Sequence, residues 1–439
     1  MPRHLVHIEN TGERFFCEES QPVLHAMESA LRRGIPVGCR NGGCGICKIE
    51  VLSGEFAVRT MSRAHVSAAE QAAGRVLSCR ILPRGELRVR AIGAPRRRTA
   101  RRVNRCAPRL AIATNEEPRC RGPYRVEGRC EMAINGVLRP GHAVLRVLDL
   151  DEAVHFYTTV LGLQETGRDR AGRVYFKCWD ERDHNSVVLR QADRAGLDLF
   201  AFKVLNGTTL STLEGRLREY GIATERVPAG EMLETGERVR FEIPTGHLIE
   251  IYAAKTSLGN GLGDINPEAW LPDQKGISPL RMDHALVYGG DIDGARRLFE
   301  EVLEFTLVER IKMEDGTTDL ATWLTCSNKA HDIAMVRHPE DGKLHHLSFL
   351  IETWQDVLRA ADLLSMNKVS IDMGPTRHGV TRGTTIYFFD PSGNRLETFS
   401  GGYQWYPDQT PITWTWEQAG KAVYYHDRRL NEAFLSVVT

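Results

Sequence analysis

Apolar and polar residues alternate in short runs over the first part of the chain, and the runs predict strands around one helix. "LVHIEN" and "RFFCEE" have the period of two that half-buried strands show, whereas "VLHAMESALRR" has apolar residues at helical spacing. "CKIEVLSG" and "ELRVRAIG" again predict strands, separated from the helix by a glycine-rich loop. Residues 1–91 are therefore expected to form a small α+β domain.

The hydrophobic period disappears over residues 92–131, where arginine and proline are frequent. Such a composition predicts a flexible linker with little fixed structure. An arginine-rich run could instead bind nucleic acid, but neither an aromatic stacking platform nor a recognition motif accompanies it. We therefore expect a linker and no nucleic-acid partner.

The pattern of the remaining chain occurs twice. "HAVLRVLDLDEAVHFYTTVLGL" from His142 aligns without a gap with "HALVYGGDIDGARRLFEEVLEF" from His284, and "VRFEIPTGHLIEIYA" aligns with "IYFFDPSGNRLETFS". Internal repeats indicate duplicated structural units. We expect two related domains at 132–275 and 276–439, each beginning with a strand, a helix and further strands.

Length, charge and cysteine content add three limits. The 439 residues exceed what one hydrophobic core usually organises. The formal net charge of zero conceals a basic front part and an acidic part from residue 132 onward. Because no apolar run is long enough for a membrane helix and "MPRHLVHIEN" lacks a signal-peptide core, we expect a cytoplasmic protein with no membrane partner. Ten cysteines then point to metal ligation rather than disulfides.

Four cysteines have the spacing of an iron–sulfur ligand set. Cys39, Cys44 and Cys47 form C-x4-C-x2-C, and Cys79 follows in "LSCR". Glycines in "GCRNGGCGIC" allow a tight turn that brings backbone N–H groups toward the cluster sulfurs. A zinc site or a loop of reduced structural cysteines is the alternative, although zinc sites usually pair two C-x2-C units. We expect a plant-type [2Fe–2S] cluster.

A second candidate metal site lies in the last domain, on separate predicted strands. His284 in "MDHALVY", His346 in "LHHLSFLI" and Glu397 in "NRLETFS" offer two imidazoles and one carboxylate. This set binds one face of Fe(II) and leaves positions open. Alternation in "HHLSFLI" places His345 on the more apolar face, which should pack into the core, and His346 on the other.

The first copy lacks one of these ligands. His142 aligns with the first histidine of the set and Glu250 with the carboxylate, but Leu199 falls where the second histidine would be. A site without that nitrogen cannot complete the ligand triad. We therefore expect metal only in the second copy, with His142 and Glu250 as structural residues or relics.

Longer motifs carry two family resemblances. Residues 132–439 resemble catechol 2,3-dioxygenases, the extradiol enzymes of the vicinal oxygen chelate superfamily, in "DHALVYG", "KAHDIA", "LHHLSFLIETWQDVLRAADLLSM", "IDMGPTRHG" and "TIYFFDPSGNR". Residues 4–91 resemble chloroplast-type ferredoxins of the kind encoded beside ring-cleavage enzymes, in "IPVGCRNGGCGICKIEVLSG" and "MSRAHV". The resemblances imply an α+β chain with an N-terminal β-grasp ferredoxin domain and two tandem vicinal-oxygen-chelate domains built from βαβββ modules. The ferredoxin part departs from plant ferredoxins in being basic.

The dioxygenase resemblance also implies roles for particular residues. His284, His346 and Glu397 would hold Fe(II), and His331 would be the acid–base residue. His378 and Tyr387 would hydrogen-bond the diol and the oxygen intermediate, and the pocket wall would include Thr381 and Phe434. The implied reaction cleaves catechol or alkylcatechols with O2 to 2-hydroxymuconic semialdehydes, in a homo-oligomer that is a tetramer by the same resemblance.

Two kinds of iron in one chain suggest that the iron–sulfur cluster keeps the mononuclear iron reduced. An extradiol centre works only as Fe(II), and a low-potential ferredoxin could return the electron lost on accidental oxidation. The electron would come from an NAD(P)H-dependent ferredoxin reductase. Alternatively, the ferredoxin domain serves a separate oxygenase and the fusion is incidental, or Met132 in "MAINGVLRPGH" is a second translation start.

Overall fold

The computed structural model describes residues 2–92 and 136–439. Apart from Ile92, the predicted linker over 92–131 lies outside the described residues, and so does Met132. Within the described ranges, the structure contains no helix that is both long and apolar enough to cross a membrane.

The first domain is a five-stranded sheet packed against a short helix. Its sheet order is β2-β1-β7-β3-β5, with β4 and β6 pairing separately. The strands are β1 (Arg3–Ile8), β2 (Glu13–Glu18), β3 (Lys48–Ser53), β4 (Phe56–Val58), β5 (Arg75–Leu77), β6 (Ile81–Pro83) and β7 (Leu87–Ala91). The helices are α1 (Val23–Ser29) and α2 (Ala68–Ala72), and a 3-10 turn spans Ser78–Arg80.

The β-grasp arrangement agrees with the predicted fold of this domain. β1 pairs antiparallel with β2 and parallel with β7, and Val23, Leu24 and Met27 of α1 are buried. The helix is shorter than the apolar pattern predicted. It ends at Ser29 because Leu31 has a φ of 55°, a left-handed conformation that a continuing helix cannot contain.

The second domain consists of two βαβββ modules whose strands form one sheet, in the order β13-β14-β15-β12-β8-β11-β10-β9. The first module contains β8 (Val137–Val147), α3 (Leu150–His155), β9 (Gln164–Arg168), β10 (Val174–Lys177) and β11 (Val187–Gln191). The second contains β12 (Gly196–Val204), α4 (Gly207–Glu219), β13 (Thr224–Val227), β14 (Arg238–Glu242) and β15 (Leu248–Tyr252). A π-helical turn at Phe156–Val160 continues α3.

The third domain repeats this topology and adds one strand at the edge, in the order β21-β22-β23-β20-β16-β19-β18-β17-β24. Its first module contains β16 (Arg281–Gly289), α5 (Ile292–Glu301), β17 (Thr306–Lys312), β18 (Asp319–Thr325) and β19 (Ile333–Arg337). Its second contains β20 (Lys343–Leu350), α6 (Trp354–Met366), β21 (Ile371–Arg377), β22 (Gly383–Phe389) and β23 (Arg395–Gly401). The C-terminal segment contains β24 (Ile412–Trp414), a 3-10 turn at Trp416–Gln418, α7 (Ala419–Val423) and α8 (Glu432–Ser436).

The two module-built domains share one hydrophobic core. Phe202 of β12 packs edge-on against Phe299 of α5, with ring centroids 5.9 Å apart, and Phe156 lies 6.3 Å from Phe388 of β22. Apolar burial over such an interface holds the two sheets in a fixed relation. The strands that carry the candidate metal ligands are therefore central strands of a rigid body.

Candidate active site and iron–sulfur loop

Strand register brings the predicted metal ligands to one face of the third domain's sheet. On the neighbouring strands β16 and β20, His284 pairs with Ser348 and Leu286 with His346. Ser348 in turn pairs with Glu397 of β23. Residues opposite each other in a sheet, and residues two apart on one strand, point to the same side. Both imidazoles and the carboxylate therefore meet over the sheet.

The three side chains converge closely enough to bind one ion. Glu397 Oε2 lies 3.1 Å from His284 Nε2 and 3.3 Å from His346 Nε2, and the two Nε2 atoms are 3.4 Å apart. All three residues are buried. Two imidazoles and one carboxylate that occupy one side of an ion are the ligand set of non-haem Fe(II) oxygenases. The residues present therefore fit Fe(II).

Hydrogen bonds at the far ring nitrogens set the tautomers of both histidines. His284 Nδ1 lies 3.1 Å from Asp283 Oδ2, so this nitrogen carries the proton and Nε2 is left with its lone pair. Burial opposes ionisation of Asp283, but the Lys329 ammonium at 3.0 Å and His284 hold the pKa of this carboxyl well below its usual range. Asp283 is thus a charged acceptor that orients the ligand.

His345 performs the same function for His346. His345 Nε2 lies 3.1 Å from the carbonyl oxygen of Phe434, so this nitrogen donates and His345 Nδ1 is an acceptor. The 2.8 Å contact between the two Nδ1 atoms is then a hydrogen bond from His346 to His345. His346 Nε2 keeps its lone pair and points at Glu397.

The placement of His345 differs from the expectation for a regular strand. Strand alternation predicted that His345 would pack into the core, opposite His346, but both histidines line the same cavity. The reason is a register shift between β16 and β20, where Leu286 pairs with His346 but Val287 pairs with Leu344. His345 is the extra residue of this bulge, and bulges turn a side chain away from its alternating side.

The cavity contains all eight residues that were predicted for metal, acid–base and pocket roles. It is lined mostly by apolar side chains, and the eight predicted residues are His284, His331, His346, His378, Thr381, Tyr387, Glu397 and Phe434. The His331 ring centroid lies 3.9 Å from that of His284. Burial lowers the pKa of His331 well below its ordinary value, so its imidazole is neutral near pH 7.

Tyr387 and His378 form a pair with a defined direction. His378 Nδ1 donates to the carbonyl of Val423 at 2.5 Å, so His378 Nε2 accepts a hydrogen bond from the Tyr387 hydroxyl at 2.8 Å. Burial raises the pKa of Tyr387 well above its usual value and keeps this hydroxyl protonated. The Phe434 ring closes the cavity edge-on to Tyr387, with centroids 4.9 Å apart.

The corresponding place in the second domain is filled by the protein's own cations. Ala201 pairs with both His142 and Glu250, and Leu199 pairs with Val144, so Leu199 occupies the register position of His346. Glu250 accepts hydrogen bonds from Arg238 Nε at 2.8 Å and from Arg240, and Lys255 Nζ lies 3.1 Å from His142 Nδ1. Within residues 2–92 and 136–439, His284, His346 and Glu397 are the set of histidine, cysteine or acidic residues whose ligand atoms all lie within 4.8 Å of one another.

The four cysteines of the first domain form a second, separate donor set. Cys47 Sγ and Cys79 Sγ are 3.3 Å apart, Cys39 N donates to Cys44 Sγ at 3.2 Å, and none of the four is in a disulfide. The thiol of Cys44, followed by backbone N–H groups of the loop, lowers the pKa of Cys39 to about 6 despite burial. Four sulfur donors with N–H groups around them fit a [2Fe–2S] cluster.

Comparison with protein families agrees with both donor sets. Residues 6–84 match the 2Fe-2S iron-sulfur cluster binding domain, and residues 197–256 match the catechol 2,3-dioxygenase-like N-terminal domain. Residues 281–398 match the glyoxalase/bleomycin resistance protein/dioxygenase superfamily. Over 305 residues the chain is 53% identical to a metapyrocatechase of Pseudomonas sp. (strain CF600), covering 69% of this chain and 99% of the relative. The chain belongs to the catechol 2,3-dioxygenase family.

Solved structures place this dioxygenase in the same group. The 2,3-dioxygenase LapB from Pseudomonas sp. KL28 has 61% sequence identity and a TM-score of 0.64, over 65% of this chain and 99% of that chain. The expected fold class, two tandem vicinal-oxygen-chelate domains after a ferredoxin domain, is confirmed. Fe(II) is accordingly the metal of this dioxygenase, and the side chains of His284, His346 and Glu397 fit it.

The front domain of this dioxygenase has relatives of its own. A plant-type ferredoxin of Pseudomonas putida is 47% identical over 79 residues, which are 18% of this chain and 70% of the relative. The predicted [2Fe–2S] cofactor is thereby confirmed for this domain. The chain unites two protein types in one polypeptide.

Sequence reasoning missed the residues that orient the ligands. Asp283 and Lys329 were not predicted, although Asp283 directly precedes a ligand histidine in "MDHALVY" and could have been recognised as its acceptor. His345 was assigned to the core. No sequence pattern marks Thr385, whose hydroxyl donates to Glu397 Oε1 and fixes the carboxylate.

Proposed function

We propose that the chain cleaves the ring of catechol or an alkylcatechol beside its two hydroxyl groups, using O2 and yielding a 2-hydroxymuconic semialdehyde. The observation that carries the proposal is the convergence of His284, His346 and Glu397 in a buried apolar cavity next to the neutral imidazole of His331. The substrate class comes from the metapyrocatechase relative, and the ligand set supports it.

Neighbouring residues hold the side chains that would bind the metal in fixed orientations. His284 and His346 would bind it through Nε2, because Asp283 and His345 hold the opposite ring nitrogens. Glu397 would bind through a carboxylate that Thr385 fixes. When bound, Fe(II) supplies a redox-active centre with open positions at which the diol and O2 can meet.

His331 is placed to move protons between substrate atoms. A neutral imidazole in a buried cavity can accept a proton from a diol hydroxyl and return it later in the reaction. The Tyr387 hydroxyl donates to His378 Nε2 before substrate enters, so this pair is ready to hydrogen-bond a diol oxygen. Thr381 and Phe434 lie in the pocket wall, and Phe434 limits the room beside Tyr387.

The lining of the cavity supports uncharged substituents on the ring. Leu286, Trp323 and Val380 contribute apolar surface to it. Packing an alkyl group against such a wall is favourable because it removes apolar surface from water. A carboxylate there would lose its hydration without gaining a partner. We therefore propose that alkylcatechols are better substrates than catechols with an acidic side chain.

The chain is first loaded with Fe(II) under anaerobic conditions. The assay then compares catechol, a methylcatechol and 3,4-dihydroxyphenylacetate as substrates in the presence of O2. The expected result is uptake of O2 with the visible absorbance of a ring-opened semialdehyde, and a higher kcat/KM for the methylcatechol than for the acid. Formation of a muconate, cut between the hydroxyl groups, would contradict the proposal. Equal kcat/KM values for the apolar and acidic substrates would contradict the proposed preference of the pocket for uncharged substituents.

We further propose that the ferredoxin domain restores the ring-cleavage iron after accidental oxidation. One electron would pass from the reduced [2Fe–2S] cluster to one Fe(III) ion, which would become Fe(II). The electron would be supplied by an NAD(P)H-dependent ferredoxin reductase, and the working assembly would be a homo-oligomer, a tetramer as the family resemblance implies. The basic ferredoxin part and the acidic dioxygenase part favour association by opposite charge.

This second proposal is tested by inactivation and recovery. Turnover of a slow, inactivating 4-alkylcatechol with O2 would release superoxide and leave the iron as Fe(III). A reductase with NADH is then added to the intact chain and to Cys79→Ser, which lacks a cluster ligand. We expect loss of the ferric resonance and return of semialdehyde formation in the intact chain alone. Equal recovery would favour the alternative that the ferredoxin domain serves a separate oxygenase.

A further inference from the structure

The cluster loop of the ferredoxin domain, residues 38–47, lies against the turn that joins β22 to β23 in the third domain. Asn41 Nδ2, in the cluster loop, donates to the carbonyl oxygen of Asp390 at 2.8 Å. Nearby, Arg63 N donates to the carbonyl oxygen of Asp193 at 2.7 Å. These two hydrogen bonds hold the ferredoxin domain on a surface made by both dioxygenase domains.

Two glycines allow the backbones to approach each other at this surface. A methyl group added to Gly43 of the cluster loop would lie 2.3 Å from the carbonyl oxygen of Ser392. A methyl group added to Gly393, which has a φ of 92°, would lie 2.9 Å from Cys39 Sγ. A larger residue at Gly43 would therefore clash with the backbone of the turn, and one at Gly393 would clash with the Cys39 sulfur. The sulfur of Cys39 therefore lies at the domain surface that faces the turn.

The four cluster ligands do not share this orientation. Cys39 is buried together with Phe389 and Val437 of the third domain, whereas Cys47 and Cys79 are buried in the ferredoxin's own core. Cys44 is partly buried at the edge of the same contact. One side of the cluster-binding loop thus faces the dioxygenase, and the other faces the ferredoxin interior.

A continuous set of buried groups connects this contact to the metal site. The Arg395 guanidinium lies 5.1 Å from the centroid of the Phe389 ring and donates to the carbonyl oxygens of Val437 at 2.7 Å and His345 at 3.3 Å. His345 Nδ1 then accepts the hydrogen bond from His346, a predicted iron ligand. Phe389, Arg395 and His345 are each at most 2% exposed.

We propose that electrons enter the ring-cleavage iron through this contact, from the Cys39 side of the cluster across Phe389, Val437, Arg395 and His345 to His346. The inference rests on the proposed reductive role of the ferredoxin and adds the surface and the direction of transfer. In the transfer the cluster loses one electron and Fe(III) gains it, and no bond to protein is made or broken. The electron first reaches the cluster from the NAD(P)H-dependent ferredoxin reductase proposed above.

The test uses a substitution at the contact that lies in neither metal site. Ala195 precedes β12, is 6% exposed, and its Cβ would be 3.4 Å from a methyl group on Gly43. Ala195→Arg introduces a long side chain there and should hold the ferredoxin domain off its surface. Ala171→Arg is the matched control, because Ala171 lies in an exposed turn of the same domain.

In the full-length chain, both iron sites are filled and the iron in both is oxidised. Photoreduced deazaflavin then supplies one electron per chain. The return of the oxidised-cluster absorbance gives a first-order transfer rate, and loss of the ferric resonance confirms the acceptor. We expect the rate to fall at least about tenfold in Ala195→Arg, because a docked donor becomes a merely tethered one, and to stay at the wild-type value in Ala171→Arg. Direct reduction of the ferric iron by ascorbate should be the same in all three chains.

Each outcome separates the inference from the proposed function. Equal transfer rates in wild type and Ala195→Arg overturn the entry surface while the reductive role stands. A reduced cluster that leaves Fe(III) unchanged in the wild type overturns both. If Ala195→Arg does not fold, Gly393→Ala opens the same contact from the dioxygenase side, because its methyl group would lie 2.9 Å from Cys39 Sγ, and an unchanged rate in that variant likewise contradicts the proposal.

Discussion

Neutralising the equivalent carboxylates of the two repeated domains distinguishes a carboxylate that stabilises the fold from one that binds metal. Glu250→Gln and Glu397→Gln are the same chemical change at the same position of the repeat. Glu250 is fully buried, and both of its oxygens are held by arginines, at 2.8 Å from Arg238 Nε and 2.7 Å from Arg240 Nη2. Glu397 is surrounded by imidazoles that are placed for a metal ion.

The expected magnitude for Glu250→Gln follows from the burial of its partner. Arg238 is 0% exposed, so neutralising Glu250 leaves a guanidinium in the core without its main counter-charge. Breaking a buried ion pair costs about 3–5 kcal/mol, and the lower end applies because Gln keeps one acceptor and Arg238 keeps its contact with Glu231. About 3 kcal/mol corresponds to a fall of roughly 6–12 °C in Tm for a unit of this size.

Calorimetry in the presence of a chelator measures stability without the contribution of bound metal, and iron analysis after reconstitution measures binding. We expect Glu250→Gln to lose stability and keep its ring-cleavage iron. Glu397→Gln should keep its Tm and bind iron at least about 100-fold more weakly. Loss of this iron from Glu250→Gln, or full iron occupancy in Glu397→Gln, would refute the assignment of metal to the second copy.

Three further substitutions test individual roles. His331→Phe should keep iron and catechol binding but lower turnover about 100-fold, as loss of an acid–base group does, and unchanged turnover in steady-state kinetics would remove His331 from the reaction. Tyr387→Phe deletes the donor to His378 Nε2 and should lower kcat/KM about tenfold, the size of one buried hydrogen bond, with no change in iron content. Cys79→Ser should lose the visible absorbance of the [2Fe–2S] cluster, and retention of that spectrum would exclude Cys79 as a ligand.

The sequence predicted the repeat and the residues that converge, because periodic apolar positions and register follow from strand geometry. The alignment of the copies matched His284 with His142 and Glu397 with Glu250, and Leu199 marked the copy without a complete set. Alternation failed at His345, since a bulge between two strands depends on the partner strand and leaves no mark in a single strand's pattern. The end of α1 was missed for a similar reason, because the left-handed conformation of Leu31 is a property of the folded loop.

The contact between Cys39 and Gly393 could not be predicted from sequence. The two residues belong to different domains, and glycine has no pattern that distinguishes a close approach from an ordinary turn. Opposite charge on the front and back parts indicated that the domains attract each other but gave no surface. The close approach of Gly43 and Cys39 to the turn between β22 and β23 supplies the surface.

Metal and sulfide analysis of the purified full-length chain tests the central claim most directly, that one polypeptide holds two separate kinds of iron. A reconstituted wild-type chain is predicted to contain about three iron atoms and about two acid-labile sulfides, from one [2Fe–2S] cluster and one mononuclear site. Cys79→Ser should fall to about one iron with no sulfide, and Glu397→Gln should keep about two of each. Zinc in the place of the cluster iron, or simultaneous loss of both kinds of iron from either variant, would contradict the account.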